Sequence, residues 1–460
     1  MLRERWVLVL FVAVAALHLL PVLRVELIPT VDGPSHVYNA QVLRELAKGT
    51  QEFARVFAVN TRLNPNWLGH LVLMASSEKV LFGAIVLLFL SGCWRLGGAW
   101  AFLAMPLSYH LLLQMGFYNY ALAVALSLHA IASWWRGERI WITSLWMFFC
   151  ALAHPLPVAV AVVFIGIAWL MGDDRRWIRL IPLIAPILIV GIFLLRPEHP
   201  GGTWTWKGAL LFQPLLRVIL LYTFEPRQIV FGTVLGVIYG LLIIATIAID
   251  GWKARPAFAV LTIAAIAMYL AAPVSEQEGL VLKARLLIFP FVIILPWLTP
   301  RLLRAPLIIA LALVATANVF YLRACWKESA KVMQRAIEPF AAAQPNRTLI
   351  ALMRDRAAPN AQLLYLWHVV SYAAARHHLI DLGDYEASMA FFPVVYRPNV
   401  RRPSMFDLET WPPPVDPTAY APDYIYTWKY ERSFDGYKLI ASHGDARLYQ
   451  STASTLPSNR

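Results

Sequence analysis

About ten apolar runs, most of them about 13–20 residues long, follow one another between positions 79 and 322 of the chain, separated by polar turns. A run of this kind must satisfy its own backbone polar groups wherever water is excluded, and a helix does so within a single segment. The runs fall at 79–93, 98–113, 117–135, 140–153, 155–171, 180–195, 230–249, 257–274, 286–298 and 307–322, and 6–23 precedes them. The pattern therefore predicts a membrane helical bundle with about eleven crossings. Composition agrees: of 460 residues, 59% are hydrophobic and 15% charged, whereas soluble domains carry about 25% charge.

The net charge of +13 does not point to nucleic acid. Its basic residues sit in short clusters between the runs, as a positive-inside bias requires. Arg3 and Arg5 place the N-terminus inside, so segment 24–78 is expected outside. The opening run has no small-x-small cleavage site and reads as an uncleaved first helix. Arg95, Arg136 with Arg139, and 173–179 mark inner turns. Residues 114–119 and His154-Pro155 mark outer ones, without Lys or Arg. Further inner turns fall at Lys253/Arg255 and Arg301/Arg304, and the outer loop 196–227 carries Trp204 and Trp206 as interfacial anchors. An odd number of crossings puts the C-terminus outside. Cys93, Cys150 and Cys325 are too scattered for a disulfide framework or a zinc spacing.

From Cys325 hydropathy falls, and the chain reads as an extracytoplasmic mixed α/β domain. Strands are expected over 348–353, 423–427, 438–442 and 447–450, with His443-Gly444-Asp445 as a hairpin turn, a helix over 361–376 and a Pro-rich loop over 411–417. The domain division is 1–324 and 325–460, with 24–78 as a first outer loop containing two amphipathic helices.

Chemistry concentrates just outside the first helix. Asp32 precedes Gly33-Pro34 and has the position of a helix N-cap. His36, Asn39 and Leu43 follow at spacings of three and four, on one stripe with Asp32 at its head. Asp32 is either a reacting carboxylate or only a cap. His36 and Asn39 either touch substrate or solvate a polar face.

The order of motifs along the whole chain resembles the GT-C superfamily of polyprenyl-phosphate-sugar-dependent membrane glycosyltransferases. The resemblance rests on Asp32-Gly33-Pro34 entering an amphipathic helix, on Asn64-Pro65-Asn66-Trp67-Leu68 before a second short helix, on short spans with His154-Pro155 at an outer turn, and on Lys283-Ala284-Arg285-Leu286 entering a late span ahead of an outer domain. It implies an inverting hexosyl or pentosyl transferase of a bacterial inner membrane, moving sugar to a glycan, lipid or protein acceptor with Asp32 as general base. Lys283 and Arg285 would hold the donor phosphate. His36, Asn39, Tyr118, Asn119 and His154 would line the substrate site, with His199 and Lys207 in a lid. Family members carry Asp-Glu or Asp-x-Asp in the first loop, but Gly33 and Pro34 stand here. No metal ligands are therefore assigned, and a divalent cation, Mg or Mn, stays open as cofactor.

The bland readings stand beside these. Lys283 and Arg285 fit snorkelling anchors, His154 fits a helix-end residue, and His377-His378 with Asp381 and Asp384, residue types that could bind a metal, fits a solvated helix end better. A lipid-linked glycan transporter or flippase, or a catalytically silent envelope-assembly scaffold, are the rival functions; polar residues gathered at outer turns, with no internal repeat, favour surface chemistry over transport. Sidedness is directly testable: reporter fusions at Gly33 and Gly444 are expected to respond on the same, non-cytoplasmic face, and opposite responses would contradict the topology.

Overall fold

The computed structural model describes residues 2–62, 64–172, 175–195, 204–205, 212–225, 227–252, 255–272, 274–275 and 279–453. His199, Trp206, Lys207 and Lys253 lie outside them. The chain divides into two compact units, one made of Met1–Arg24 with Lys79–Cys325, the other of Val25–Glu78 with Trp326–Arg460.

The first unit is helical. Among the described residues, five helices, Arg5–Leu23, Glu78–Gln114, Trp177–Leu194, Arg227–Asp250 and Ala305–Ala342, are long and apolar enough to cross a membrane. Three shorter apolar helices, Ile140–Ala153, Pro155–Met171 and Pro256–Ala271, accompany them. The Glu78–Gln114 segment is interrupted at Gly98, whose φ of 58° breaks the α-helical path, and the chain continues through short 3-10 and α turns. Many large aliphatic side chains stay exposed, including Val9, Leu188, Ile244 and Leu313. Such an apolar surface suits lipid and not water. Cys93 and Cys150 are buried free thiols.

The second unit is built on a five-stranded sheet in the order Ile380–Asp381, Thr348–Met353, Tyr424–Trp428, Ala446–Ser451, Tyr437–His443. The first two neighbours of this order pair in parallel and the last two antiparallel. The expected strands and terminal hairpin are present. The expected 361–376 helix is shorter, Val369–Arg376. The Leu366 N–H bonds the distant Arg356 carbonyl at 3.0 Å, so the preceding residues close a turn and not a helical ladder.

The first loop packs into this unit. It contributes helices Gly33–Lys48 and Trp67–Ala75, a short helix Gln51–Val56, and strand Phe57–Val59, which pairs antiparallel with Val394–Tyr396. Gly33–Lys48 ends at Gly49, at φ 80°, where the left-handed geometry lets its N–H meet the last carbonyls. The helix is buried on most sides. Tyr38, Val42 and Leu43 enter a core with Phe53, Phe57, Leu349, Ile350 and Tyr426. Tyr38 carries a polar contact into that core: its hydroxyl donates to the Leu379 carbonyl at 3.1 Å and accepts from the Asp381 N–H at 2.8 Å. Tyr38→Phe strands both backbone groups, and thermal unfolding of the full chain is expected to lose about 1–3 kcal/mol; an unchanged melting temperature would contradict this role.

Candidate functional site

Pro34 occupies the second position of helix Gly33–Lys48 and has no N–H to offer a cap. Asp32 holds the cap position but makes no side-chain capping bond, which corrects the expected cap. Its Oδ1 instead lies 3.6 Å from His368 Nε2, and the Tyr385 hydroxyl bonds the same carboxylate. Tyr385 stacks on the His368 ring at 4.5 Å. Burial, then the charge of Arg356, pull the His368 pKa down to about 3 despite the opposing charge of Glu386. A neutral imidazole therefore faces Asp32 at neutral pH. Asp32 and His368 keep side-chain exposures of 16% and 15%, enough to be approached.

One helical turn on, His36 points away from water. His36 Nδ1 is 2.7 Å from Glu386 Oε1 and 3.4 Å from His70 Nε2, while His70 Nε2 is 2.9 Å from Glu386 Oε2. His36 is 4% exposed, and His70 and Glu386 are fully buried. Burial by itself would raise the Glu386 pKa, but the charges of His36 and His70 and their bonds to it outweigh that and hold it at about 2.

His70 is aimed by its own backbone. Asn66 takes φ 80°, a left-handed geometry that Asn tolerates better than most residues. Its carbonyl faces His70 Nδ1 at 2.9 Å. Asn side chains then pin the segment after Glu386. Asn60 Nδ2 donates to the Ala390 and Phe392 carbonyls at 2.8 and 2.9 Å, Asn64 Nδ2 to Ala390 at 3.2 Å, and Asn66 Nδ2 to Phe391 at 3.4 Å. Arg44 fixes the far end of the same short helix, donating to Leu73, Met74 and Ser76 carbonyls.

A further turn along, Asn39 is fully buried and donates to both oxygens of Asp384 at 3.0 and 3.2 Å. The stripe of His36 and Asn39 is therefore no solvated face. Nor are Asp381 and Asp384 a solvated helix end, since they are 6% and 1% exposed. Burial, then the charges of Glu386 and Asp381, raise the Asp384 pKa well above the usual range, with Asn39 opposing. Burial raises Asp381 to about 6 against a bond from the Gly383 N–H. Asp381 lines a cleft with Arg356, Trp367, His368 and Glu409. His378, by contrast, sits half-exposed beside Glu45 at 3.3 Å.

In the helical unit, Arg285 lies over the rings of Phe117 and Tyr120 at 5.0 and 5.7 Å. The Tyr120 hydroxyl donates to the Arg285 carbonyl, and the His154 ring meets the Tyr120 ring edge-on at 5.3 Å. His154 also caps the following helix, accepting from the Leu156 N–H at 3.1 Å. The structure thus gathers Tyr120, His154 and Arg285. Lys283 has other partners, donating to the Leu270 carbonyl at 3.3 Å and lying over Tyr269. Tyr118 is fully buried against Phe82, and Asn119 is 3% exposed.

Sequence reasoning did not single out His70, His368, Tyr385 or Glu386. His70 had a signal, being the lone ionisable residue in the apolar stretch Trp67–Ala75. No protein-family model, no curated protein and no solved structure matches this chain.

Asp381 gives this group of acids a measurable pH dependence. Its folded pKa of about 6 exceeds the ordinary aspartate value of 3.8, so the folded protein holds a proton that the unfolded chain releases. The stabilisation is complete below pH 3.8 and is lost as pH rises towards 6. Asp384, Tyr38 and Tyr396 face the same pocket of polar groups. Asp381→Asn keeps the acceptor for Gly383 and removes the charge. It is expected to flatten the slope of melting temperature between pH 4 and 6 and to stabilise the protein above pH 7 by on the order of 3 kcal/mol; an unchanged slope would contradict the assignment.

Proposed function

We propose that this chain is a membrane glycosyltransferase of GT-C-like architecture, which moves a hexosyl or pentosyl group from a polyprenyl-phosphate donor to an acceptor hydroxyl on the extracytoplasmic face, with inversion. The observation that carries the reading is the Asp32 carboxylate, which is released from helix capping, held beside neutral His368 and Tyr385, and still partly exposed. A carboxylate so placed suits proton acceptance. Within this proposal the shorter apolar helices also cross the bilayer, giving about eleven crossings, and the C-terminal domain lies outside the inner membrane.

The transfer is a single displacement. The acceptor oxygen bonds to the anomeric carbon as the bond from that carbon to the phosphate oxygen breaks. The electron pair leaves with the lipid phosphate, and the acceptor proton passes to Asp32. His368 and Tyr385 orient that carboxylate, and neither needs to lose a proton. Glycans, lipids and proteins all offer hydroxyls that fit this chemistry. Lys283 and Arg285 keep the donor-phosphate role implied by the resemblance, Arg285 with its guanidinium over the Phe117 and Tyr120 rings. Tyr118, Asn119 and His154 keep the substrate role on the same ground.

The test is turnover on a panel of polyprenyl-phosphate hexoses and pentoses, read as release of polyprenyl phosphate. Asp32→Asn is nearly isosteric and is expected to lower kcat by about 10²- to 10⁴-fold, with KM for the donor and the melting temperature little changed. A folded Asp32→Asn protein that transfers sugar at the wild-type rate would overturn the assignment.

A further inference from the structure

We propose that His36, His70 and Glu386 bind one divalent transition-metal ion, with zinc the ion that best fits the donor set, between the first loop and the C-terminal domain. This does not rest on the glycosyltransferase reading, since the argument uses only the three side chains and their supports.

The ligand atoms of these residues lie within 4.8 Å of one another, and all three residues are buried. A tetrahedral zinc centre with bonds of about 2.0–2.1 Å separates its ligand atoms by about 3.3 Å. The two imidazole nitrogens here are 3.4 Å apart, with the carboxylate oxygens at 2.7 and 2.9 Å. Small outward movements of one carboxylate would open the group to that geometry.

The orientation of His70 strengthens the case. Its Nδ1 faces the Asn66 carbonyl at 2.9 Å, which turns Nε2 of the same ring towards a Glu386 oxygen and the His36 nitrogen. Glu386 Oε1 is buried 2.7 Å from His36 Nδ1, so both carboxylate oxygens turn towards imidazole nitrogens. A ligating histidine whose other ring N–H is held by a backbone carbonyl is the usual support around a metal.

Two imidazoles and one carboxylate favour zinc-class ions over Mg or Ca, which prefer oxygen ligands. Three protein ligands leave a fourth position for water or another oxygen donor. The edges of the Phe392 ring pack against both histidines, at 5.9 and 6.1 Å between centroids, and keep the group dry. Bound there, the ion would tie helix Gly33–Lys48, helix Trp67–Ala75 and the turn at Glu386 into one structure.

The experiment uses the full-length protein in detergent, purified through a tag without histidine, and reads metal content by elemental analysis. About one equivalent of zinc per chain is expected, falling at least tenfold in His70→Ala and in Glu386→Gln. His377→Ala, at a half-buried histidine outside the group, is expected to retain it. Should the site variants fail to fold, the wild-type protein decides. Chelator treatment is expected to lower its melting temperature, added zinc to restore it, and cobalt added to the chelator-treated protein to give the visible absorption of a tetrahedral centre. The proposal is overturned if the wild-type protein neither retains zinc nor changes its melting temperature or spectrum on metal addition, or if well-folded site variants retain zinc as the wild type does.

Discussion

Glu386 is fully buried between His36 and His70, and the unit that carries the five-stranded sheet is organised around it. A carboxylate stripped of solvent costs several kcal/mol unless partners replace the lost hydration. Here the partners come from two separate helices of the first loop, some 316 residues or more away in the chain. Three asparagines hold the strand of backbone that follows Glu386, and Arg44 closes the helix carrying His70. The charge is thus a reason for the loop and the C-terminal domain to fold together, because either part without the other leaves ionisable groups unpaired.

The two units present different surfaces and satisfy their polar groups differently. In the helical unit some polar side chains are satisfied within a turn, as when His18 Nδ1 bonds the Val14 carbonyl and His110 accepts from the Leu113 N–H, and others reach across helices, as the Tyr120 hydroxyl does to the Arg285 carbonyl. Aliphatic groups are left facing outward. In the other unit, polar groups are satisfied across long sequence separations, and the outcome is a dense set of buried acids and imidazoles. Reactive chemistry needs such a setting, where a fixed environment and not bulk water sets protonation. Asp32 stands at its edge, one turn before His36, and remains approachable.

The sequence made some of this legible. Hydropathy showed the apolar helices, and alternation with turn residues showed the sheet strands and the terminal hairpin, since both signals are local. The stripe Asp32, His36, Asn39 was also readable, because helical spacing places them on one face. Their partners were not. Nothing local in Asp384-Tyr385-Glu386 distinguishes buried acids from a solvated turn, and the difference arises only when Asn39 and two histidines arrive from the loop. The role of Asn64-Pro65-Asn66 was hidden for the same reason, since its side chains bind carbonyls more than 300 residues away. Asp32 carried an N-cap signature, but Pro34 removed one of the N–H groups the cap would use.

The central claim is that Glu386 and its two imidazoles hold the first loop to the C-terminal domain. Hydrogen–deuterium exchange of the full chain, wild type against Glu386→Ala, tests it most directly. The account predicts faster exchange in helices Gly33–Lys48 and Trp67–Ala75 and in the segment 384–393, with the apolar helices unchanged. Unaltered protection of both loop helices in the variant would contradict it.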